Sequence, residues 1–157
     1  FGGKYGKGFV TCRNPNGPGW GAPGAIRIEG GSFGFQIGVS STDVVLLVMN
    51  ERGMKRLLTS KFTLGGDASV AGGPVGRSAS AQTDAMMTAE ILSWSRSRGA
   101  FAGVSLEGAT LRNDLDENRA LYDKRMTNKE VLTGGLSVPA PAKQLISVLN
   151  KYSMKES

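Results

Sequence analysis

Arg52, Lys55, Arg56 and Lys61 place four cations within ten residues, and Arg96 with Arg98 forms a second, smaller group. Side chains of this type do one kind of chemistry: they attract anions. Beside an anionic bilayer each such charge contributes about 1 kcal/mol, so four or five converging on one face would give useful but reversible binding. The plain alternative is a solvated helix face with charged strand ends, and spacing alone leaves both open. The whole chain leans the same way. Its 157 residues hold 19 Lys and Arg against 13 Asp and Glu, a net charge of +6. That balance favours lipid head groups, acidic protein surfaces or nucleic acid. Nucleic acid is the weakest of the three. No RNA- or DNA-binding motif is present, and aromatic residues at 7% offer few stacking platforms.

The chain has no histidine. This removes Ser-His-Asp and Cys-His nucleophiles, histidine acid–base catalysis and every His-ligated metal site. Cys12 is the single cysteine, so neither an internal disulfide nor a thiolate zinc site is available. Gly19-Trp20-Gly21-Ala22-Pro23-Gly24 matches G-x-G-x-x-G, but a dinucleotide site needs a helix after it and a strand-like segment follows here. Gly30-Gly31-Ser32-Phe33-Gly34 matches G-x-S-x-G, but no histidine exists to take the serine proton and no lysine that could do so is nearby in sequence. The oxygen-rich run Asn113–Asn118 reads as helix capping and not as a calcium loop. Glu90 and Glu107 sit in apolar runs. They are candidates for an acid–base pair, or for salt bridges to Arg27, Arg96 or Arg112. No cofactor, no metal and no catalysis are expected.

The elements that must position the cations read as β-rich. Glycine is abundant, at 23 residues, and is placed inside strand-like runs, where it marks turns, bulges and close backbone approaches. Strands are expected at 4–13, 22–29 and 32–39, the last alternating Phe33, Phe35, Ile37 and Val39. The run 44–49 reads as a central strand covered on both faces. Asn50 caps a helix over 51–60 that turns Met54, Leu57 and Leu58 inward and Arg52, Lys55 and Arg56 outward. A bulged strand is expected over 64–75, a loop over 78–84, and strands over 89–98 and 99–111. Asp114 and Thr127 start two short helices with capping boxes. A final helix follows Pro139 and Pro141, with Leu145, Val148, Leu149 and Tyr152 as its apolar stripe. The expected fold is α+β, mainly antiparallel β, barrel- or sandwich-like, with short peripheral helices. No apolar run approaches the roughly 20 residues that span a bilayer.

The stretches FGGKYGKG (1–8), GGSFGFQIG (30–38), STDVVLLVMN (41–50), KFTLGGDASVAGGPVGR (61–77), AEILSWSRSRGAFAGVSLEGATLR (89–112) and ENRALYD (117–123) together resemble the SYLF domain family, the lipid-binding and actin-regulator domain. The segment from Met126 onward is more similar to bacterial members. The resemblance implies one domain over 1–157 that lacks the family's N-terminal helix and first strand. It implies peripheral binding to anionic phospholipid, phosphoinositide in eukaryotic members, with actin-filament binding in some yeast members and no enzymatic activity. For a bacterial member it implies a periplasmic or secreted place at a membrane. It assigns no individual lipid contacts. The expected lipid-binding residues, Arg52, Lys55, Arg56, Lys61, Arg96 and Arg98, rest on charge clustering alone. The other reading is a protein-interaction or structural envelope module of the actin- or filament-binding type.

Overall fold

The computed structural model describes residues 5–15, 17–30, 42–76 and 84–153. The expected strand at 32–39, Ser32 of the G-x-S-x-G match and most of the 78–84 loop lie outside these. Contacts divide the chain into two compact units, Phe1–Gly6 with Ile28–Arg112, and Lys7–Arg27 with Asn113–Ser157. Strands β1 (Tyr5–Val10) and β2 (Gly24–Glu29) each run from one unit into the other.

In the first unit, the apolar run DVVLLV forms β3 (Asp43–Val48). Asn50 then starts helix α1 (Glu51–Leu57), its side-chain oxygen accepting the Gly53 N–H at 2.9 Å. The glycine- and alanine-rich run 64–75 is not one strand. β4 (Lys61–Thr63) ends just before it, a turn follows in which Asp67 accepts the Thr63 N–H at 2.9 Å, and only Val70–Gly72 is extended, as β5. A short helix α2 (Asp84–Thr88) leads into β6 (Ile91–Ser97). The expected strand over 99–111 also divides, into β7 (Ala100–Gly103) and β8 (Thr110–Asn113). The break is conformational: Leu106 at φ 47° and Gly108 at φ 84° turn the chain, and Leu106 is buried to 1% exposure as the anchor.

The described strands make two sheets, one in the order β1-β2-β8-β4 and one built on β6. β6 pairs antiparallel with β3, from Asp43↔Arg96 to Val48↔Ile91. Its other edge is shared, by β5 in parallel at Ile91–Ser93 and by β7 antiparallel at Trp94–Ser97. The class is therefore α+β with mainly antiparallel pairing, as the sequence implies. The barrel alternative is not realised among the described strands, because two short strands use up one edge of β6 without closing a ring. β6 and β7 are joined by Arg98 (φ 52°) and Gly99 (φ 79°). Two successive left-handed residues make the two-residue reversal that matches the twist of a β-hairpin. The core under β6 gathers Ala71, Ala89 and Leu92 against Met86 and Trp94. Packing there is close enough to exclude a Cβ at Gly73, which would fall inside the Trp94 indole, and at Gly103, which lies against the Gly73 backbone.

In the second unit, α3 (Leu115–Tyr122) starts at Asp114, whose side chain accepts the Glu117 N–H. Helix α4 (Asn128–Thr133) starts with a complete capping box between Thr127 and Glu130. Helix α5 (Lys143–Ser153) follows a 3-10 turn at Ala140–Ala142. Ala142 of that turn and Ile146 of the helix are buried, while Leu145, Val148 and Tyr152 are exposed. The expected stripe is thus mostly the outer face. Trp20 and Arg13 hold the end of α5: the indole N–H donates to Ser153 Oγ at 3.1 Å, and the Arg13 guanidinium donates to the Ser153 carbonyl at 2.6 Å.

Candidate functional site

Arg52, Lys55 and Arg56 lie on the exposed face of α1, while Gly53 and Leu57 face inward. The helix periodicity puts Arg52 and Arg56 one turn apart, with Lys55 beside them. Gly53 is where the helix meets the strand layer: a Cβ there would clash with the Glu90 carbonyl. Lys61 opens β4 three residues after Leu58, also exposed, and stands opposite Arg112 in the β4–β8 register. Arg112 is itself committed to Glu29, at 2.9 Å. Among the described residues, none of the side chains of Arg52, Lys55, Arg56 and Lys61 has a carboxylate partner. Four cations on one helix–turn–strand segment therefore face water without neutralisation.

Arg96 and Arg98 belong elsewhere. Arg96 sits at the far end of the β3–β6 ladder from α1, five residues and roughly 17 Å from the Val48↔Ile91 pair at the usual strand rise of about 3.4 Å. Its guanidinium binds Asp43 at 2.7 Å and lies 5.9 Å above the Phe101 ring. Arg98 is the first residue of the hairpin turn, exposed, with no ion pair among the described residues. Arg96 and Arg98 thus lie at the end of the β3–β6 ladder away from α1 and its three cations, while Lys61 belongs to β4 in the other sheet.

Between the two groups lies what the sequence reading missed. β3 is not covered on both faces. Its residues alternate, with Val45 and Leu47 at 48% and 44% exposure and Met49 just beyond them equally open. Cross-strand register puts Val45 beside Trp94, and Arg96 beside Phe101, which is itself 49% exposed. Val45, Trp94 and Phe101 with Pro74, Val75 and Gly76 line a groove of about 400 Å³. The Trp94 indole N–H donates to the Pro74 carbonyl at 3.1 Å. The sequence holds no signal of that open face, because every residue from Val44 to Met49 is apolar and the alternation exists only in the exposure.

The candidate catalytic groups are not assembled. Glu90 accepts from the Ser69 N–H at 3.0 Å and from its hydroxyl at 3.3 Å, a local clamp between β5 and β6. Glu107 is exposed in the turn before β8, not in a strand. The arginines expected to pair with them are engaged otherwise, Arg96 with Asp43 and Arg112 with Glu29. The G-x-G-x-x-G match is a turn feeding β2, with Gly19 at φ 89° and no helix after it. Cys12 is half-buried, and burial pushes its thiol pKa up, away from a reactive thiolate. Among the described residues no helix is long and apolar enough to cross a membrane.

Comparison with known proteins identifies the family. The family model Ysc84, described as Las17-binding protein actin regulator, matches residues 29–152. The chain is 39% identical over 153 residues to the SH3 domain-containing protein PJ696.02 of Schizosaccharomyces pombe, covering 96% of this chain and 35% of that protein. It is 37% identical over 154 residues to Protein YSC84 of Saccharomyces cerevisiae, covering 95% and 32%. It is 36% identical over 153 residues to the SH3 domain-containing YSC84-like protein 1 of Homo sapiens, covering 97% and 44%. The chain therefore spans less than half the length of these curated relatives. No solved structure matches it. The family's description names binding and regulation, and no reaction.

Proposed function

The chain belongs to the Ysc84 (SYLF) family, and from that premise we propose that it binds the anionic surface of a phospholipid membrane peripherally and without catalysis. The observation that carries the reading is the unneutralised row Arg52, Lys55, Arg56 and Lys61. Exposed cations without partners keep their full attraction for external anions, whereas a paired surface cation has already spent it. Phosphatidylglycerol and phosphoinositide head groups both present the phosphate such a row attracts. The attraction is reversible and salt-sensitive, because exposed charges are screened over about 10 Å at 0.1 M ionic strength.

Co-sedimentation with vesicles tests it. The protein is expected to pellet with phosphatidylcholine vesicles that contain phosphatidylglycerol or a phosphoinositide, and not with phosphatidylcholine alone. Changing Arg52, Lys55, Arg56 and Lys61 together to Ala removes up to about 4 kcal/mol at low salt, a loss of several hundredfold, and flattens the salt dependence. Equal binding to neutral vesicles, or none to either, counts against the reading.

A second reading is favoured by the family's description, which names Las17 and actin. In it the same cations meet an acidic protein filament. Co-sedimentation with actin filaments in place of vesicles separates the two, since the four-Ala variant then loses filament binding while vesicles never bound.

A further inference from the structure

We infer that the exposed part of the Trp94 side of the β3–β6–β7 sheet, beyond the core at Leu92, is an acyl-chain contact face: Phe101, Val45, Val75 and the Trp94 groove enter the hydrocarbon edge of the bilayer while Arg98 stays with the head groups. The inference rests on the proposed reading of the chain as a binder of anionic phospholipid. It adds which side chains leave water, and it uses a part of the molecule away from the α1 cations.

Three properties of this face select hydrocarbon as its occupant. The first is its area of unburied apolar surface. Val45, Leu47, Met49 and Phe101 are each close to half exposed, and Val75 is 37% exposed. Register places Val45 beside Trp94 and Phe101 beside Arg96, so three strands contribute apolar side chains to one side, bounded at its end by the Asp43–Arg96 pair. Contiguous apolar surface of this kind on a folded chain marks a contact site.

The second property is its lack of polar demand. The groove is lined by Val45, Pro74, Val75, Gly76, Trp94 and Phe101. The one polar side-chain atom among them is the indole nitrogen, and its hydrogen is already donated to the Pro74 carbonyl. A peptide ligand would find no side chain here to orient its backbone. An acyl chain needs none, and gains by leaving water. The groove is also held open by the main chain. Gly73 passes under the indole and Gly103 lies against Gly73 with no room for a Cβ at either. These contacts fix Trp94 in place, so the groove does not collapse onto its own walls.

The third property is the charge at the margin. The hairpin turn carries Arg98, exposed and without an ion pair among the described residues. Arg96 stands one turn-flank back, held by Asp43 at 2.7 Å and stacked 5.9 Å over Phe101. Cations at the edge of an apolar face let the stems lie along hydrocarbon while the heads reach phosphate. The combination is that of an interfacial element buried about 5–10 Å into the head-group and acyl boundary.

Trp94 reports on this directly. The chain has two tryptophans, so Trp20→Phe leaves Trp94 as the sole emitter. Vesicles of phosphatidylcholine and phosphatidylglycerol, with and without brominated acyl chains, are added while co-sedimentation is measured in parallel. The expected result is a blue shift on binding and quenching of Trp94 by the brominated chains. The vesicle-dependent part of wild-type emission that Trp94→Phe removes gives the same readout with Trp20 intact. Phe101→Ser is expected to weaken partitioning by about tenfold at every salt concentration, leaving the salt slope unchanged; Phe101→Leu retains most of the binding. Wild-type sedimentation with Trp94 unquenched, and with Phe101→Ser binding as well as the parent, overturns this inference and leaves the membrane reading standing on the α1 cations. No sedimentation with anionic vesicles overturns both.

Discussion

The polar groups around Ala25 and the apolar groups around Trp94 invert the usual arrangement of a globular chain in opposite ways. In the second unit, Asn118 and Asn128 are buried to 0% and 1% exposure. Asn118 accepts the Ala25 N–H at 2.7 Å and donates to the Met126 carbonyl and to Asn128 Oδ1, both at 2.9 Å. Asn128 in turn donates to the Ala25 carbonyl at 3.0 Å. Gly24 makes room, since a Cβ there would overlap the Asn128 amide. Every one of those polar groups is satisfied inside the unit. On the β3–β6–β7 side, Val45, Leu47 and Phe101 each leave close to half of their surface in water. Satisfied burial is what a structural element does. Uncovered apolar surface beside uncompensated charge is what a contact face does. The two regions therefore answer different perturbations.

Asn118→Ala breaks that comparison most strongly if it fails. Truncation leaves the Ala25 N–H and the Met126 carbonyl buried without partners, and such groups cost about 1–3 kcal/mol each. The expected loss is about 3 kcal/mol of stability, and about 10 °C in the thermal unfolding midpoint for a chain of this size. Circular dichroism melts check it. Vesicle binding measured well below the lowered midpoint should remain that of the parent. A variant that melts normally would mean the buried amides are dispensable, and the division between structural and contact regions would lose its firmest term.

Arg98 offers the converse test, because there strain and contact coincide. A non-glycine residue at φ 52° is held in a backbone region costing about 1–2 kcal/mol. Asn-Gly is the favoured pair for this reversal. Arg98→Asn should therefore raise stability by about 1 kcal/mol, while removing one head-group cation and weakening vesicle binding by about fivefold. Stability and affinity moving in opposite directions is the signature of a residue kept for contact. A melt and a binding titration on the same sample decide it.

What could be read in advance follows the same line between local and long-range physics. Asn50, Asp114 and Thr127 announce their helices because a cap is a matter of three or four consecutive residues. The exposed side of α1 is equally local, a periodicity within one helix. The apolar groove is not local. It depends on β3 lying beside β6 in one register, and on β5 and β7 sharing an edge of β6, none of which is encoded in any short window. A run such as Val44–Met49 is apolar whether one face or both are covered, so the reading of a doubly covered strand was the natural one and the alternation was lost in it. Arg96 and Arg98 read in sequence as a second, smaller group, and nothing in that reading says how far from α1 they lie. The ladder puts them at its opposite end, and only strand pairing could say so. The splitting of 99–111 at Leu106 is of the same kind, since a left-handed leucine leaves no compositional mark.

The smallest expected effect concerns charge with a partner as against charge without one. Glu130 is fully exposed, yet its pKa is held below the ordinary carboxylate range, chiefly by the Thr127 backbone N–H and then by the Thr127 hydroxyl, with a further contribution from Lys124. Folding lowers this pKa, so the folded chain favours the ionised form. The resulting stabilisation is present in full above the unfolded carboxylate value of about 4.3, and it drains away as pH falls through the lower folded value. Glu130→Gln keeps an oxygen for the capping box but removes the charge near the start of α4. The parent should melt slightly above this variant at neutral pH, and the difference should vanish in acid. If the Glu130 difference persists unchanged at low pH, its hydrogen bonds and not its charge carry the cap, and exposed charges in this chain would matter only through what they meet outside it.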